Sequence, residues 1–412
     1  MHEHARMPHI IDTTEKITEN IPVSIKGGGI LRTEPRILIV SASIGTGHNQ
    51  AAAAIGQELR SQRPRAQIDI IDFLQYGSYY RGSLLRETYL KMLHLFPEVF
   101  DFLFRWTAGK GQQVKSLFAY SSKNRITELR RQFKPHILVC THPFPCAAAC
   151  CLKGQGALDL PVAAVVTDFG VHPFWIYQEV DAYFVAHDDL RPQLVDRGIH
   201  AGRVRACGIP IGKQYSAKVT RAEGVIKEEP VILIMGGGLG LGPLDRVLLH
   251  LEAFPHPLRV LVVTAGNRKL LPKLREMAGK SRHKISIFGF TEKIDQLMGA
   301  ADLLITKAGG LTAGEALAKG LPMLLIPVIP GHEAENARFL VQQGAAVQVR
   351  DVAEITRCLK YLLVEQPGVL DGMRTAAAAL AKPDAARDIA AHIVEMAGRA
   401  NVKRALTGRR KG

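Results

Sequence analysis

The 412-residue sequence contains no apolar run of the roughly 20 residues that a transmembrane helix needs. Its longest apolar stretches have strand length or are broken by glycine. The first residues are polar and contain no signal-peptide core. These absences predict a cytosolic protein.

The six cysteines contain no CxxC pair, which argues against a cysteine metal site and a thioredoxin-like redox motif. Three of them, Cys146, Cys150 and Cys151, share an alanine-rich segment. Small, buried, reduced residues are the expected interpretation. No aspartate pair with divalent-metal spacing accompanies the glycine-rich segments described below, so we expect neither a metal nor a cofactor.

Aromatic residues make up only 6% of the chain, and no RRM, KH, zinc-finger or helix-turn-helix signature is visible. A nucleic-acid partner is therefore not expected. The formal net charge of +15 nevertheless indicates an anionic partner. An acidic membrane surface and phosphate-bearing substrates both fit that charge.

Strand-like and helix-like patterns alternate through both halves of a chain that is longer than one core usually supports. This order predicts an α/β protein with two doubly wound, Rossmann-like domains and a cleft between them. The expected segments are a flexible leader (1–33), a first domain (34–212), a linker (213–229), a second domain (230–385), and a closing helix with a basic tail (386–412).

Residues 301–340 combine a strand, a glycine turn and the start of a helix. The apolar run Asp302–Thr306 suits a buried parallel strand, and Lys307-Ala308-Gly309-Gly310 turns it into a helix that begins near Thr312. Such a turn offers backbone N–H groups and the positive end of a helix dipole to an anion, and Lys307 adds a charge. The turn therefore predicts a phosphate site. Because the P-loop and GxGxxG spacings are absent, ATP and NAD are not the expected ligands.

Polar groups that suit a sugar nucleotide follow at neighbouring strand ends. Glu315 is placed one turn into the helix, where it can accept hydrogen bonds from ribose hydroxyls. A second helix opens at Pro330 and carries side chains that could hold sugar hydroxyls. Asn267 and Arg268, which follow an earlier strand of the second domain, could reach phosphate oxygens.

The first strand, Arg36–Ala42, runs into Gly45 and Gly47 and then His48 at the start of a helix. The glycines let backbone N–H groups approach an oxygen-rich group closely. The positive end of the helix disfavours the imidazolium cation and keeps a neutral base available. His48 is therefore a candidate base, with a structural or capping role as the alternative.

Two later strand ends supply further candidates. Val162–Thr167 leads to Asp168, a second candidate acid or base, and to His172, a third. An earlier strand ends in His142-Pro143. These positions lie where doubly wound sheets bind ligands.

Between residues 74 and 122, tyrosines, phenylalanines and leucines are interleaved with arginines and lysines. Mixed aromatic and basic faces suit a helix at a lipid headgroup boundary. This segment is the predicted membrane-docking and lipid-entry region. An ordinary core with a solvated basic face is an equal alternative.

These motifs resemble the glycosyltransferases that include bacterial processive diacylglycerol glucosyltransferases and plant monogalactosyldiacylglycerol synthases, of family 28. The resemblance covers about residues 36–397 and implies the two-domain GT-B fold. It implies that Glu315 binds ribose, that Gly309–Thr312 bind the diphosphate, and that His332 and Glu333 bind sugar hydroxyls of a UDP-sugar. It also places the uracil at Gly289-Phe290.

In the same family the histidine of a GxGH motif is the proposed base or acceptor-site residue, which implies that role for His48. Trp175 matches an acceptor-side tryptophan of the plant enzymes. Ser43 stands where those enzymes have an aspartate, so the chain is more similar to the bacterial branch. The longer GGTGGH motif of the related peptidoglycan N-acetylglucosaminyltransferase is absent.

The predicted function is an inverting transfer of glucose or galactose from UDP-glucose or UDP-galactose to diacylglycerol, with the UDP-sugar as co-substrate. We expect the protein to be peripheral, on an anionic membrane surface at its cytoplasmic side. The alternatives are N-acetylglucosamine transfer to a lipid-linked peptidoglycan precursor, a basic protein that binds membranes or polyanions without catalysis, and, more remotely, a UDP-sugar epimerase.

The predicted catalytic residues are His48 and Asp168. The predicted donor-binding residues are Gly238, Asn267, Arg268, Phe290, Lys307, Gly309, Gly310, Leu311, Thr312, Glu315, His332, Glu333 and Asn336. The predicted acceptor-binding residues are Gly45, Gly47, His142, Pro143, His172 and Trp175.

Overall fold

Two six-stranded parallel sheets organise the chain, which confirms the predicted doubly wound α/β fold. The computed structural model describes residues 34–43, 45–76, 123–216, 229–240, 242–327 and 332–408. The leader, most of the aromatic and basic segment, most of the linker and the last four residues lie outside this range. No helix within it has the length and apolar character needed to cross a bilayer.

The first sheet has the strand order β2-β1-β3-β4-β5-β6. Its elements are β1 (Arg36–Ser41), α1 (Gly47–Gln62), β2 (Gln67–Asp72), α2 (residues 123–133), β3 (Ile137–Cys140), α3 (Pro143–Gly154), β4 (Val162–Val165), β5 (Ala182–Phe184), α4 (Arg191–Val195) and β6 (Val204–Arg205). Short 3-10 turns occupy Pro173–Trp175, Asp188–Leu190, Ala201–Arg203 and Lys213–Ser216.

The second sheet has the order β12-β11-β10-β7-β8-β9. Its elements are β7 (Val231–Met235), α5 (Leu244–Leu251), β8 (Arg259–Val263), α6 (Leu271–Lys280), β9 (Lys284–Phe288), α7 (Ile294–Ala300), β10 (Leu303–Thr306), α8 (Gly310–Ala318), β11 (Met323–Leu325), α9 (His332–Gln342) and β12 (Ala346–Gln348). The chain closes with α10 (Ile355–Lys360), a π turn (Tyr361–Glu365), α11 (Pro367–Leu380) and α12 (Ala385–Gly408). Arg268–Leu270 and Val352–Glu354 are 3-10 turns.

The central strands are almost entirely apolar because both faces of each sheet are covered by helices. All five residues of β7 and all four of β10 are buried. The order of strands reverses beside β1 in the first sheet and beside β7 in the second. Ligands bind at such switch points, at the carboxyl ends of the strands.

Two strands of the sheets are short. β11 spans three residues because Pro322 and Pro327 bracket it, and a proline N has no hydrogen to donate to a sheet. β6 spans two residues, and the chain turns at Gly208 with φ 100°. Residues 352–365 form a 3-10 turn, α10 and a π turn in succession.

The last helix returns to the first sheet. Ile389, Ile393 and Ala397 of α12 are fully buried in a core that also contains Ile37 and Ile39 of β1. A second core is continuous across the two halves and includes buried residues of both sheets. The two halves therefore share packing, and the domain boundaries stay a prediction.

Replacing Ile393 with alanine tests the return of α12. We expect the free energy of unfolding to fall by about 2–5 kcal/mol, because the substitution leaves a cavity under a fully buried side chain. Urea unfolding measures this loss. The exposed Arg399→Ala on the same helix should stay within about 0.5 kcal/mol of wild type, and equal losses in both variants would contradict the packing.

Candidate active site

The carboxyl ends of the two sheets meet around a cavity of about 140 Å³. Residues from both halves line it. They are Gly45, Thr46, Gly47, His48, Gln50, Thr167 and Asp168 from the first half, and Gly236, Gly237, Gly238, Leu239, Lys307, Gly309, Gly310, Leu311, Thr312 and Glu333 from the second. The structure thus brings both predicted catalytic residues together with the predicted phosphate turn.

His48 is the second residue of α1, and its Nδ1 atom is held by the first half. Nδ1 lies 2.8 Å from the Thr141 carbonyl oxygen and 2.9 Å from the Thr167 hydroxyl. Because a carbonyl oxygen only accepts, Nδ1 carries the proton. In the neutral ring, Nε2 is then the basic nitrogen, as general-base chemistry requires.

Asp168 follows β4 and is half-buried. Its Oδ1 atom accepts a hydrogen bond from Nδ2 of Asn336 at 2.9 Å. Asn336 belongs to α9 of the other half and is fully buried. Its amide is therefore engaged by protein atoms in this structure, although it was predicted to bind a sugar.

Lys307 and Glu333 form an ion pair on the side of the cavity that the second half lines. The Lys307 Nζ atom lies 2.5 Å from Oε1 of Glu333, which is 7% exposed. Among the described residues, the buried Oε2 atom of Glu333 has no hydrogen-bond partner. An unsatisfied buried acceptor is costly, and a hydroxyl entering the cavity would satisfy it.

The predicted phosphate turn, residues 307–310, leads directly into α8, whose first residues are buried. Gly309 has ordinary φ and ψ angles of −73° and 131°, and the helix begins at Gly310. Orphan N–H groups and the dipole of this helix point toward the cavity. This geometry suits an anion between Lys307 and the helix N-terminus.

Two glycines allow the halves to touch at the cavity. A Cβ on Gly310 would lie 2.1 Å from the Thr167 carbonyl oxygen. A Cβ on Gly238 would lie 2.0 Å from the Thr46 hydroxyl oxygen. Any larger residue at Gly310 would meet backbone, which cannot move aside as a side chain can.

Glu315 is 8% exposed and lies outside the cavity lining. The Tyr215 hydroxyl, from the turn that begins the linker, donates a hydrogen bond to the carboxyl group. Burial raises the pKa of Glu315 to about 8, while the hydrogen bond acts in the opposite direction. The carboxyl group predicted to bind ribose is therefore protonated at neutral pH in this arrangement.

Three other donor predictions lie along the same edge of the second sheet, beyond β7. Asn267 donates from Nδ2 to the Gly240 carbonyl oxygen at 3.2 Å, which ties two loops together. Arg268 is exposed, and Phe290 is 77% exposed at the end of β9. The side chain of His332 lies outside the described residues.

The predicted acceptor residues divide into two groups. Gly45 and Gly47 line the cavity. His142 packs edge-on against the His48 ring at 4.5 Å, and its Nδ1 caps α3, which begins at Pro143. His172 caps the Pro173–Trp175 turn in the same way, and Trp175 is 2% exposed within the core. In this structure His172 and Trp175 therefore stabilise the fold, one as a cap and the other as part of the core.

Sequence reasoning missed Thr141, Thr167 and Tyr215. Each acts on a residue that is far away in the sequence, so no local pattern marks it. Thr167 directly precedes the noted Asp168, and that position at a strand end is the only signal that was available. No group of three or more histidine, cysteine, aspartate or glutamate residues within the described ranges has the arrangement of a metal site.

Comparison with known proteins gives two family matches. The monogalactosyldiacylglycerol (MGDG) synthase model matches residues 48–211, and the glycosyltransferase family 28 C-terminal domain matches residues 231–390. A processive diacylglycerol beta-glucosyltransferase of Bacillus mycoides (strain KBAB4) is 32% identical over 369 residues, which cover 88% of this chain and 92% of the relative.

Among solved structures, MurG of Acinetobacter baumannii aligns with a TM-score of 0.60 and 15% identity, covering 88% of this chain and 99% of that one. UDP-GlcNAc 2-epimerase of Neisseria meningitidis, bound to UDP-GlcNAc, gives a TM-score of 0.51 and 16% identity, with 88% and 99% coverage. At these identities the likeness shows the fold alone, which is of the GT-B type.

Replacing Gly310 with alanine tests the contact between the halves. The new Cβ would meet the Thr167 carbonyl, so we expect faster amide hydrogen exchange in residues 167–170 and a stability loss of about 1–3 kcal/mol. Gly309→Ala is the matched control, because a Cβ there meets nothing within 4 Å. Unchanged exchange in Gly310→Ala would refute the contact.

Glu315 makes stability depend on pH. The folded-state pKa of about 8 lies above the ordinary value of 4.5, so the stability contributed by this group is present below 4.5 and lost as pH rises through 8. We expect Glu315→Gln to unfold at a higher temperature than wild type at pH 9 and to show no such gain at pH 4. Thermal unfolding measures this, with the exposed Glu395→Gln as control. An equal difference at both pH values would show that Glu315 does not titrate in this range.

Proposed function

This chain belongs to the family of the processive diacylglycerol beta-glucosyltransferases, and from that membership we propose that it transfers a hexose from a UDP-sugar to diacylglycerol. One observation carries the proposal: the similarity extends over 88% of the chain and so includes both faces of the cavity. The cavity supplies a histidine base on one side and an anion-binding helix start on the other.

The donor lies along the carboxyl edge of the second sheet in this proposal. Uracil packs near the exposed Phe290, and the diphosphate occupies the start of α8 beside Lys307. Hexose hydroxyls reach the unsatisfied Oε2 atom of Glu333. Glu315 contacts the ribose after exchanging the Tyr215 hydroxyl for a ribose hydroxyl.

The reaction is a direct displacement at the anomeric carbon. The acceptor hydroxyl oxygen forms the new bond to this carbon as the bond to the UDP oxygen breaks, and configuration is inverted. Nε2 of His48 takes the hydroxyl proton. Negative charge that develops on UDP is stabilised by Lys307 and by the N–H groups and dipole at the start of α8.

We propose that the two halves separate to admit the donor. A cavity of about 140 Å³ is smaller than the roughly 300–1,000 Å³ of typical ligand pockets. The Lys307 ammonium group has three N–H donors, so it can contact Glu333 and the diphosphate together. The proposal therefore includes opening of the halves, entry of the UDP-sugar and closure onto it.

Glucose is the favoured donor sugar, because the Bacillus mycoides relative is named as a glucosyltransferase. Galactose is the alternative, because the family model over residues 48–211 is that of MGDG synthases. We also propose peripheral binding to an anionic membrane on the cytoplasmic side, in keeping with the net charge of +15. Most of the aromatic and basic segment assigned to this contact lies outside the described residues.

The test measures hexosyl diacylglycerol by mass spectrometry after separate incubations with UDP-glucose and UDP-galactose in anionic liposomes. We expect product from wild type and a fall in kcat of about 10²–10⁴-fold in His48→Ala, because the base is removed. UDP affinity, measured by calorimetry, should change less than about threefold.

His200→Ala is the matched control, since His200 caps an exposed turn far from the cavity lining. It should retain the kcat of wild type. Absence of product from both donors despite UDP binding would remove diacylglycerol as acceptor. Equal loss of turnover and UDP affinity in His48→Ala would instead assign His48 to folding.

A further inference from the structure

Asn336 has an unusual position for a residue predicted to bind a sugar. It lies in the first half of α9 and has no exposed surface. A buried carboxamide is costly unless its two N–H groups and its oxygen all find partners. The identity of those partners therefore indicates what the residue does.

Both N–H groups and the oxygen of the Asn336 side chain have partners within the protein. Nδ2 donates to Oδ1 of Asp168 at 2.9 Å and to the carbonyl oxygen of Ala308 at 3.0 Å. Oδ1 accepts from the backbone N–H of Phe169 at 2.7 Å. One side chain thus joins the end of β4 in the first half to the turn after β10 in the second.

The two ends of this bridge lie on opposite sides of the cavity. Asp168 lines it from the first half, while Ala308 directly precedes the Gly309-Gly310 turn that lines it from the second. Of the standard side chains of this length, only asparagine supplies two donors and one acceptor together. Aspartate has the same shape but, when ionised, no donor.

Other residues in and just after α9 also contact the first half. We call this line of contacts between α9 and the first half the seam. The Phe339 ring stacks on Phe169 with centroids 5.0 Å apart and planes at 16°. Farther along, Nε2 of Gln343 donates to Oδ2 of Asp189 at 3.0 Å. A Cβ on Gly170 would collide with the Glu335 carboxylate, so this side of α9 fits closely against the loop after β4.

We propose that Asn336 is a positioning residue, which orients the Asp168 carboxylate at the cavity and aligns it with the donor-binding turn when the two halves close. It acts through Asp168 and Ala308, and each of its polar atoms has a protein partner. Opening of the halves breaks the bridge, and closure restores it. The effect on turnover rests on the hexosyl transfer proposed above.

Two variants separate the parts of the bridge. Asn336→Asp keeps an oxygen for the Phe169 N–H but loses both donors and places a second carboxylate beside Asp168. Asn336→Ala loses all three hydrogen bonds. Gln343→Ala, which removes one hydrogen bond at the rim of the same seam, is the matched control.

We expect kcat for hexose transfer to fall at least tenfold in both Asn336 variants, with UDP affinity within threefold of wild type and with Gln343→Ala unaffected. Amide hydrogen exchange at Phe169 should accelerate at least tenfold in Asn336→Ala and stay within threefold in Asn336→Asp. Circular dichroism and the thermal midpoint establish that each variant is folded at the assay temperature.

Parallel losses of kcat and UDP affinity would overturn the proposal, because Asn336 would then bind the donor. A wild-type kcat in folded Asn336→Asp would also overturn it, because donation to Asp168 would then have no effect on turnover. If wild type forms no hexosyl diacylglycerol, the proposed function fails on its own. The exchange of Phe169 still decides whether the bridge exists, since that readout needs no substrate.

Discussion

The two halves of this protein meet backbone to backbone at the point where α8 begins. A Cβ on Gly310 would come within 2.1 Å of the Thr167 carbonyl oxygen, so the contact exists only because residue 310 has no side chain. The same Thr167 contributes its hydroxyl to the contacts of His48 Nδ1. The close approach therefore places the candidate base and the phosphate turn around one cavity.

Polar groups around this cavity are largely satisfied by one another. Lys307 forms an ion pair with Glu333, the Tyr215 hydroxyl donates a hydrogen bond to Glu315, and Asn336 donates one to Asp168. A ligand that enters must therefore replace partners as well as displace water, and the cost of each exchange reduces its net affinity. The orphan Oε2 of Glu333 is an exception among the described residues, because it gains a partner without losing one.

A backbone carbonyl group sets the tautomer of the His48 ring. The Thr141 carbonyl at the end of β3 determines which nitrogen carries the proton. The parallel sheet makes this possible, because β1 and β3 are neighbours and their carboxyl ends lie at the same edge. Asp168, two strands away, is oriented instead by a side chain of the other half.

Local patterns in the sequence were sufficient to predict the class of fold and most of the residues that line the cavity. Apolar runs such as Val231–Met235, glycine turns and the helix starts behind them are local signals, because burial and turn geometry act on adjacent residues. The positions of the candidate catalytic and phosphate-binding groups at strand ends followed from them. Contacts between distant residues did not follow from local patterns. Asp168 and Asn336 are 168 residues apart, and no local pattern encodes a partner at that separation. Three contacts came from the folded structure alone, because each depends on how the two halves pack: Asn336 faces a carboxylate, Glu315 faces Tyr215, and α12 returns to the first sheet.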